Sequence, residues 1–228
     1  MNPKNNQCLD ALPIDDYESI RPHLKLKSLS PNQTLSRAFV RTEKLYFPVN
    51  ALIALRKDTP DGLSIDTATI GFEGLIGLAG MTGCSLFHTI VAEPGLVYQI
   101  DRSDLQNLID SRPMITKMCM RATQLVIRKI SIELFCNHYH QISQRLARWI
   151  LIRHDHLRSQ SLNVTHQAIS HSLGIRRETV SLTLPDLTGV RVTRGHLEVT
   201  DRASLERQSC ECYFHLKQVH PNQIPLTF

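Results

Sequence analysis

A chain of 228 residues, 42% hydrophobic and 21% charged, has the composition of an ordinary globular protein, with room for one large or two smaller domains. Its longest apolar runs, "ALIAL" (51–55) and "WILI" (149–152), are too short to span a bilayer. The formal charge of +5 is uneven. Residues 1–137 carry 15 basic and 14 acidic side chains, whereas residues 138–228 carry 11 basic and 7 acidic plus nine of the eleven histidines, so the C-terminal part invites a polyanion.

The N-terminus "MNPKNNQCLD" has no apolar signal core, which points to a cytoplasmic chain whose six cysteines stay reduced. Residues 8–27 read as one or two short helices, with Pro13 opening the second. From about 28 to 100, short apolar runs alternate with the turn signals "SPNQ", "TPDG", "GFEG", "TGCS" and "AEPG". That spacing suits many short strands in an antiparallel sandwich or barrel, with a hairpin at Asp61-Gly62.

Ser103 or Ser111 is placed to cap the next helix, and Pro113 is tolerated near its start. No Gly or Pro interrupts Met114 to Cys136, a helix of about 33 Å at 1.5 Å per residue. Met118, Leu125 and Ile132 recur every seven residues, flanked by Ile115, Ala122 and Cys136. Val126, Ile127, Ile130 and Leu134 supply a second apolar face. Two arrangements fit: one face on the strands and the other on a second copy, or both faces buried within one subunit. A further helix over 141–157, with Ile142, Leu146, Trp149, Ile150 and Ile152 at helical spacing, opens the basic part.

The stretch "LNVTHQAISHSLGIRRETVSLTLPDL" has the organisation of a helix-turn-helix. Thr165 caps the first helix, Ile169 and Leu173 face inward, small Ser170 allows close approach, and Gly174 takes the left-handed turn. Val180 returns to the core, leaving Arg176, Arg177, Glu178, Ser181 and Leu182 outward at the start of the second helix. Arginine there can bind guanine O6 and N7, and glutamate can accept from a cytosine amino group. Equally, Glu178 can simply favour the positive end of its helix. "VRVTRGHLEVT" (190–200) reads as a hairpin about Arg194-Gly195, a wing whose Arg191, Arg194 and His196 lie along phosphates; Thr165, His166 and Thr179 are the remaining candidate backbone contacts.

On these residues the chain resembles the Crp/Fnr family of bacterial transcription regulators. "CNHYHQISQRLARWILIRHD", "LGIRRETVS", "RGHLEVTDRASLE" and "CECY" are similar to its linker, recognition helix, wing and C-terminal segment. "YFPVNALIAL", "DGLSIDTATIGFEGLIG" and "AEPGLVYQI" are similar to its sensor barrel, so the resemblance covers nearly the whole chain. It implies an α+β protein: an antiparallel jelly-roll barrel of the cyclic-nucleotide-binding type over 1–110, a dimerisation helix over 111–137 and a winged helix-turn-helix over 138–228. It also implies a homodimer binding palindromic double-stranded DNA and RNA polymerase; separately, no nucleophile elbow, P-loop or dinucleotide fingerprint occurs, so catalysis is not expected. Ile115, Met118, Ala122, Leu125 and Ile132 then form the dimer seam, and Glu178 reads bases.

Three departures qualify it. His88 stands where cAMP-binding members use an arginine, and neutral imidazole replaces a forked guanidinium poorly. Cyclic nucleotide is therefore not expected, Glu73 is expected to support a turn, and Gly71, Glu73, Gly74 and His88 remain the candidate effector pocket. Cys8 alone lies in the N-terminal region where Fnr-like sensors carry a cysteine cluster, which needs about four thiolates. Leu182 replaces a base-reading arginine and can meet a thymine methyl, and Pro185 should end or kink the second helix near Leu184. Pro185 motivates an alternative: a small-molecule or metal and redox sensor whose DNA unit has decayed. "CNHYH" (136–140) and "CECYFH" (210–215) place Cys and His within ligand reach only if the fold brings them together, so the expectation is packing, with no metal or cofactor. Cys84, Cys119 and Cys136 are candidate redox switches or, more simply, free thiols.

Overall fold

The computed structural model describes residues 2–81, 83–157, 161–193 and 195–218. These form two compact units, one holding residues up to Leu55 and Ala68–Lys129, the other Arg56–Thr67 and Ile130–Gln218. The division falls inside the long helix, and the tip of the Asp61-Gly62 hairpin counts with the C-terminal unit. No helix among the described residues is long and apolar enough to cross a membrane.

The first unit begins with the short helices α1 (Gln7–Asp10) and α2 (Ile14–Ile20). Asn6 starts α1 and ties it down: its Oδ1 accepts from the Cys8 N–H at 3.0 Å, and its Nδ2 donates to the carbonyls of Pro48 and Gly74 at 2.9 Å each. A buried amide survives there because its bonding capacity is used. Seven strands follow: β1 (Lys25–Leu29), β2 (Thr34–Ser36), β3 (Lys44–Pro48), β4 (Leu52–Asp58), β5 (Ser64–Ile70), β6 (His88–Glu93) and β7 (Gly95–Asp101). They lie in two sheets, β1-β7-β3 and β2-β6-β4-β5; β7 is antiparallel to both neighbours, pairing Lys25 with Gln99 and Lys44 with Asp101.

Helix α3 (Arg102–Ser111), not separated out in the sequence reading, leads into α4 (Pro113–Tyr139). At 27 residues α4 is about 40 Å long. Leu45, Phe47 and Ile100 of the strands pack with Leu9, Tyr17 and Ile20 and with Ile115, Met118 and Ala122 of α4. Of the residues expected along the dimer seam, Ile115, Met118, Ala122 and Leu125 are buried within their own unit, and Ile132 is half-buried against Cys136. Among the apolar residues that α4 leaves exposed, Met120 (65%), Ile127 (58%) and Leu134 (71%) lie seven apart, and Met114, Phe135 and Tyr139 are exposed as well.

In the second unit, α4 continues into α5 (Ile142–Leu157), β8 (Ser161–Asn163), α6 (His166–Leu173), α7 (Arg177–Thr183), β9 (Val190–Thr193), β10 (His196–Val199), α8 (Arg202–Gln208) and α9 (Cys212–Gln218). The three strands form an antiparallel sheet with β10 central. Leu146, Trp149 and Ile150 of α5 meet Ile169, Leu173, Val180, Leu197, Leu205 and Tyr213 in one core. Each full burial of such a side chain stabilises by roughly 1.5–3 kcal/mol.

Three arginines of α5 are buried too. Arg148 forks onto both oxygens of Glu133 at 2.7 and 2.6 Å, Arg145 donates to the Leu173 carbonyl at 2.6 Å, and Arg153 stacks on the Trp149 ring at 3.5 Å. They belong to the scaffold, so the basic balance of the C-terminal part overstates the charge available to a polyanion.

Candidate nucleic-acid interface

The helix-turn-helix is built as its sequence dictates. Thr165 Oγ1 accepts from the Ala168 N–H at 3.1 Å and starts α6. Gly174, at φ 64° and ψ 38°, closes it in the left-handed conformation that a β-carbon disfavours. Ser170, buried at the crossing, donates to the Ile175 carbonyl at 2.7 Å and locks the turn. Arg176 is then extended, α7 begins at Arg177, and Val180 returns fully to the core. Pro185 does not distort α7. It follows the last helical residue, inside a tight 3-10 turn at Leu184–Asp186 where its ring is accommodated.

Arg176, Arg177 and Glu178 are exposed, and their side chains form no ion pair or hydrogen bond with the described residues. Leu182, one turn beyond Glu178, is 76% exposed. Ser181 is exposed as well, but its hydroxyl donates to the Arg177 carbonyl at 3.2 Å and meets His166 Nδ1 at 2.9 Å, so it is already engaged. Thr179 is half-buried beside them. The wing exposes Arg191 and His196, Arg191 forming an open ion pair with Glu198 at 3.4 Å. Arg194 lies outside the described residues. Strand β8, three residues that carried no sequence signal, pairs with β10 and ties the wing to the chain just before α6.

The hairpin tip of β4 and β5 joins this unit through Asp66, which takes an inward position on β5. Arg56 donates to Asp66 at 2.7 Å, and the Ser172 hydroxyl of α6 donates to its other oxygen. Ser172 in turn accepts from Trp149 Nε1 at 2.8 Å. A buried carboxylate with no signal in the local pattern is thus satisfied from two other elements.

In the first unit, Glu73 does support a turn. Its Oε1 accepts from the Gly71 N–H at 3.1 Å and from Lys129 of α4, whose ammonium also donates to the Thr69 carbonyl at 2.7 Å. Gly74 lets α4 approach: a β-carbon there would stand 2.5 Å from Ile70 and 3.1 Å from Leu125. His88, at the start of β6, accepts from the Ala38 N–H at 3.4 Å.

Glu73 and Gly74 thus serve local structure, and none of the four residues Gly71, Glu73, Gly74 and His88 lines a cavity found elsewhere in this unit. That cavity, of about 610 Å³, is lined by Ser36, Thr42, Leu75, Phe87, Thr89, Thr116 and neighbours, none of which carries a fixed charge. Cys119, also in its wall, is pushed up to about 12 by burial and is no reactive thiolate. Lys129 escaped the sequence reading, although it occupies an inward position of the Leu125–Ile132 stripe, where a lysine needs a buried acid.

Segments 136–140 and 210–215 do meet. The ligand atoms of Cys136, His140, Cys210 and Cys212 lie within 4.8 Å of one another, so the expectation of mere packing gives way to a defined cluster. Beside it, burial first and then hydrogen bonding to Asp155 raise the phenol of Tyr213, which holds Asp155 at 2.7 Å.

Comparison with known proteins agrees with this architecture. Residues 144–208 match the Crp-like helix-turn-helix domain. A regulator of the Crp/Fnr family from Eubacterium rectale superposes with a TM-score of 0.72 at 13% identity, covering 90% of this chain and 98% of that one. FixK2 from Bradyrhizobium japonicum gives 0.69 at 16%, covering 82% and 98%. The regulator CLP of Xanthomonas campestris, described as responsive to c-di-GMP, gives 0.68 at 12%, covering 83% and 100%. At these identities the likeness is one of fold: a cyclic-nucleotide-binding-like domain with a C-terminal helix-turn-helix. Comparison with curated proteins finds no match.

Proposed function

We propose that the chain is a sequence-specific regulator of transcription that binds double-stranded DNA as a homodimer and answers to an effector in its N-terminal domain. The carrying observation is that Arg176, Arg177 and Glu178, exposed at the start of α7, have no partner among the described residues, in a domain of the Crp-like helix-turn-helix type. Entering the major groove by that end, α7 offers a donor fork to guanine and an acceptor to cytosine, while Leu182 offers apolar contact to a thymine methyl. Arg191 and His196, with Thr165 and His166 at the start of α6, serve the phosphates. The second copy docks on the exposed Met120, Ile127 and Leu134 of α4, which repeat at the coiled-coil spacing. The uncharged cavity favours a neutral effector over a cyclic phosphate. The decayed-sensor alternative loses its ground, because Pro185 lies beyond an intact α7.

The test is a pair of variants titrated against a cognate and a random duplex over a range of salt. Arg177→Ala should lose about 1–3 kcal/mol on the cognate duplex alone. Arg191→Ala should weaken both duplexes alike and reduce the salt slope by about 1. Equal losses on both duplexes from both variants would refute the assignment.

A further inference from the structure

We propose that Cys136, His140, Cys210 and Cys212 bind one zinc ion, which pins the end of α4 to the turn between α8 and α9. The site stands independently of the DNA-binding reading. Cys136 Sγ lies 3.5 Å from Cys210 Sγ, and Cys212 Sγ lies 3.6 Å from His140 Nδ1. A tetrahedral zinc with Zn–S near 2.3 Å and Zn–N near 2.0–2.1 Å sets its ligand atoms about 3.5–3.8 Å apart. Two edges of the tetrahedron are therefore already formed. With every pair within 4.8 Å, the widest closes by about 1 Å, within reach of small side-chain rotations.

The chain delivers the ligands economically. Cys136 and His140 are four residues apart at the end of α4 and so share a face. Cys210 and Cys212 flank Glu211 in the turn that opens α9. The three cysteines are buried, and Ile132 packs against them.

The outer sphere is present as well. With Nδ1 of His140 turned to the thiols, its Nε2 lies 3.1 Å from Glu211 Oε1. Such a carboxylate–histidine contact fixes the tautomer and orientation of a metal-bound imidazole. Simple thiol packing gives no reason for that pairing. Three thiolates and one imidazole suit zinc, and four protein ligands leave no open position, so the ion is structural. An iron–sulfur cluster distributes its ligands over separate iron atoms, and this group is too tight for that.

The full chain, purified under reducing conditions without chelator, should contain about one zinc per chain by plasma mass spectrometry. Cys210→Ser and Cys212→Ser should each lose it, and Cys84→Ser, an exposed thiol, should keep it. Glu211→Gln should retain the stoichiometry but bind zinc about 10–100-fold more weakly. Should the cysteine variants fail to fold, the wild-type chain still decides. Cobalt(II) added after zinc removal should give the intense visible bands of a tetrahedral thiolate site, bleached by equimolar zinc. Zinc-free native protein with a pale octahedral cobalt spectrum, a Cys136–Cys210 disulfide in the native chain, or full zinc retention by Cys212→Ser would overturn the site.

Discussion

Glu73 carries a negative charge into the first unit and is tolerated there because Lys129 arrives from α4 with the opposite one. Both side chains are nearly inaccessible, so neither can fall back on water. Removing one partner leaves the other buried and uncompensated, which costs more than removing both. Lys129→Met should therefore destabilise the chain by about 3–5 kcal/mol in urea unfolding, and Lys129→Met with Glu73→Gln should recover most of that loss. A double variant as unstable as the single one would show that the pair is not the reason for the lysine. The same logic separates the arginines of the C-terminal part. Arg148 is held by Glu133 inside the scaffold, whereas Arg176 and Arg177 stand outside with nothing among the described residues to hold them.

Helix α4 has an inner and an outer face, and they predict different failures. In the proposed homodimer, Leu134→Glu or Ile127→Glu, on the outer face, should convert dimer to monomer in sedimentation while leaving stability within about 0.5 kcal/mol for the monomer. Ile115→Ala, on the inner face, should cost about 2–5 kcal/mol of stability by opening a cavity, without acting directly on association. Dissociation by Ile115→Ala but not by Leu134→Glu would instead place the seam on the Ile115–Ile132 stripe.

That the sequence alone does not assign the two faces has a physical cause. Both stripes are apolar and both repeat every seven residues, so periodicity cannot say which one meets the strands. What local chemistry settles was legible: the Thr165 cap, the left-handed Gly174, the inward Val180, the hairpin at Asp61-Gly62 and the end of α7 before Pro185. What depends on distant parts of the chain was not. Strand β8 exists only because β10 pairs with it, Asp66 is inward because Arg56 and Ser172 receive it, and Cys136 meets Cys210 because α5, which follows α4, packs on α8 and α9.

In the whole molecule, β4, β5 and α4 each run from the first compact unit into the second. A molecule in the uncharged cavity can alter DNA affinity only by binding one arrangement of those segments better than another. The central claim is narrower: two copies of α7 read an inverted repeat with Arg177 and Glu178. Selection of the full-length protein against a library of random duplexes at fixed salt tests it most directly, run in parallel with Glu178→Gln. The expected result is a palindrome with half-sites one helical turn apart, about 10–10.5 base pairs centre to centre, and a relaxed preference at one symmetric base pair for the variant. Enrichment of no inverted repeat, or the same repeat with unchanged preference from the variant, would contradict it.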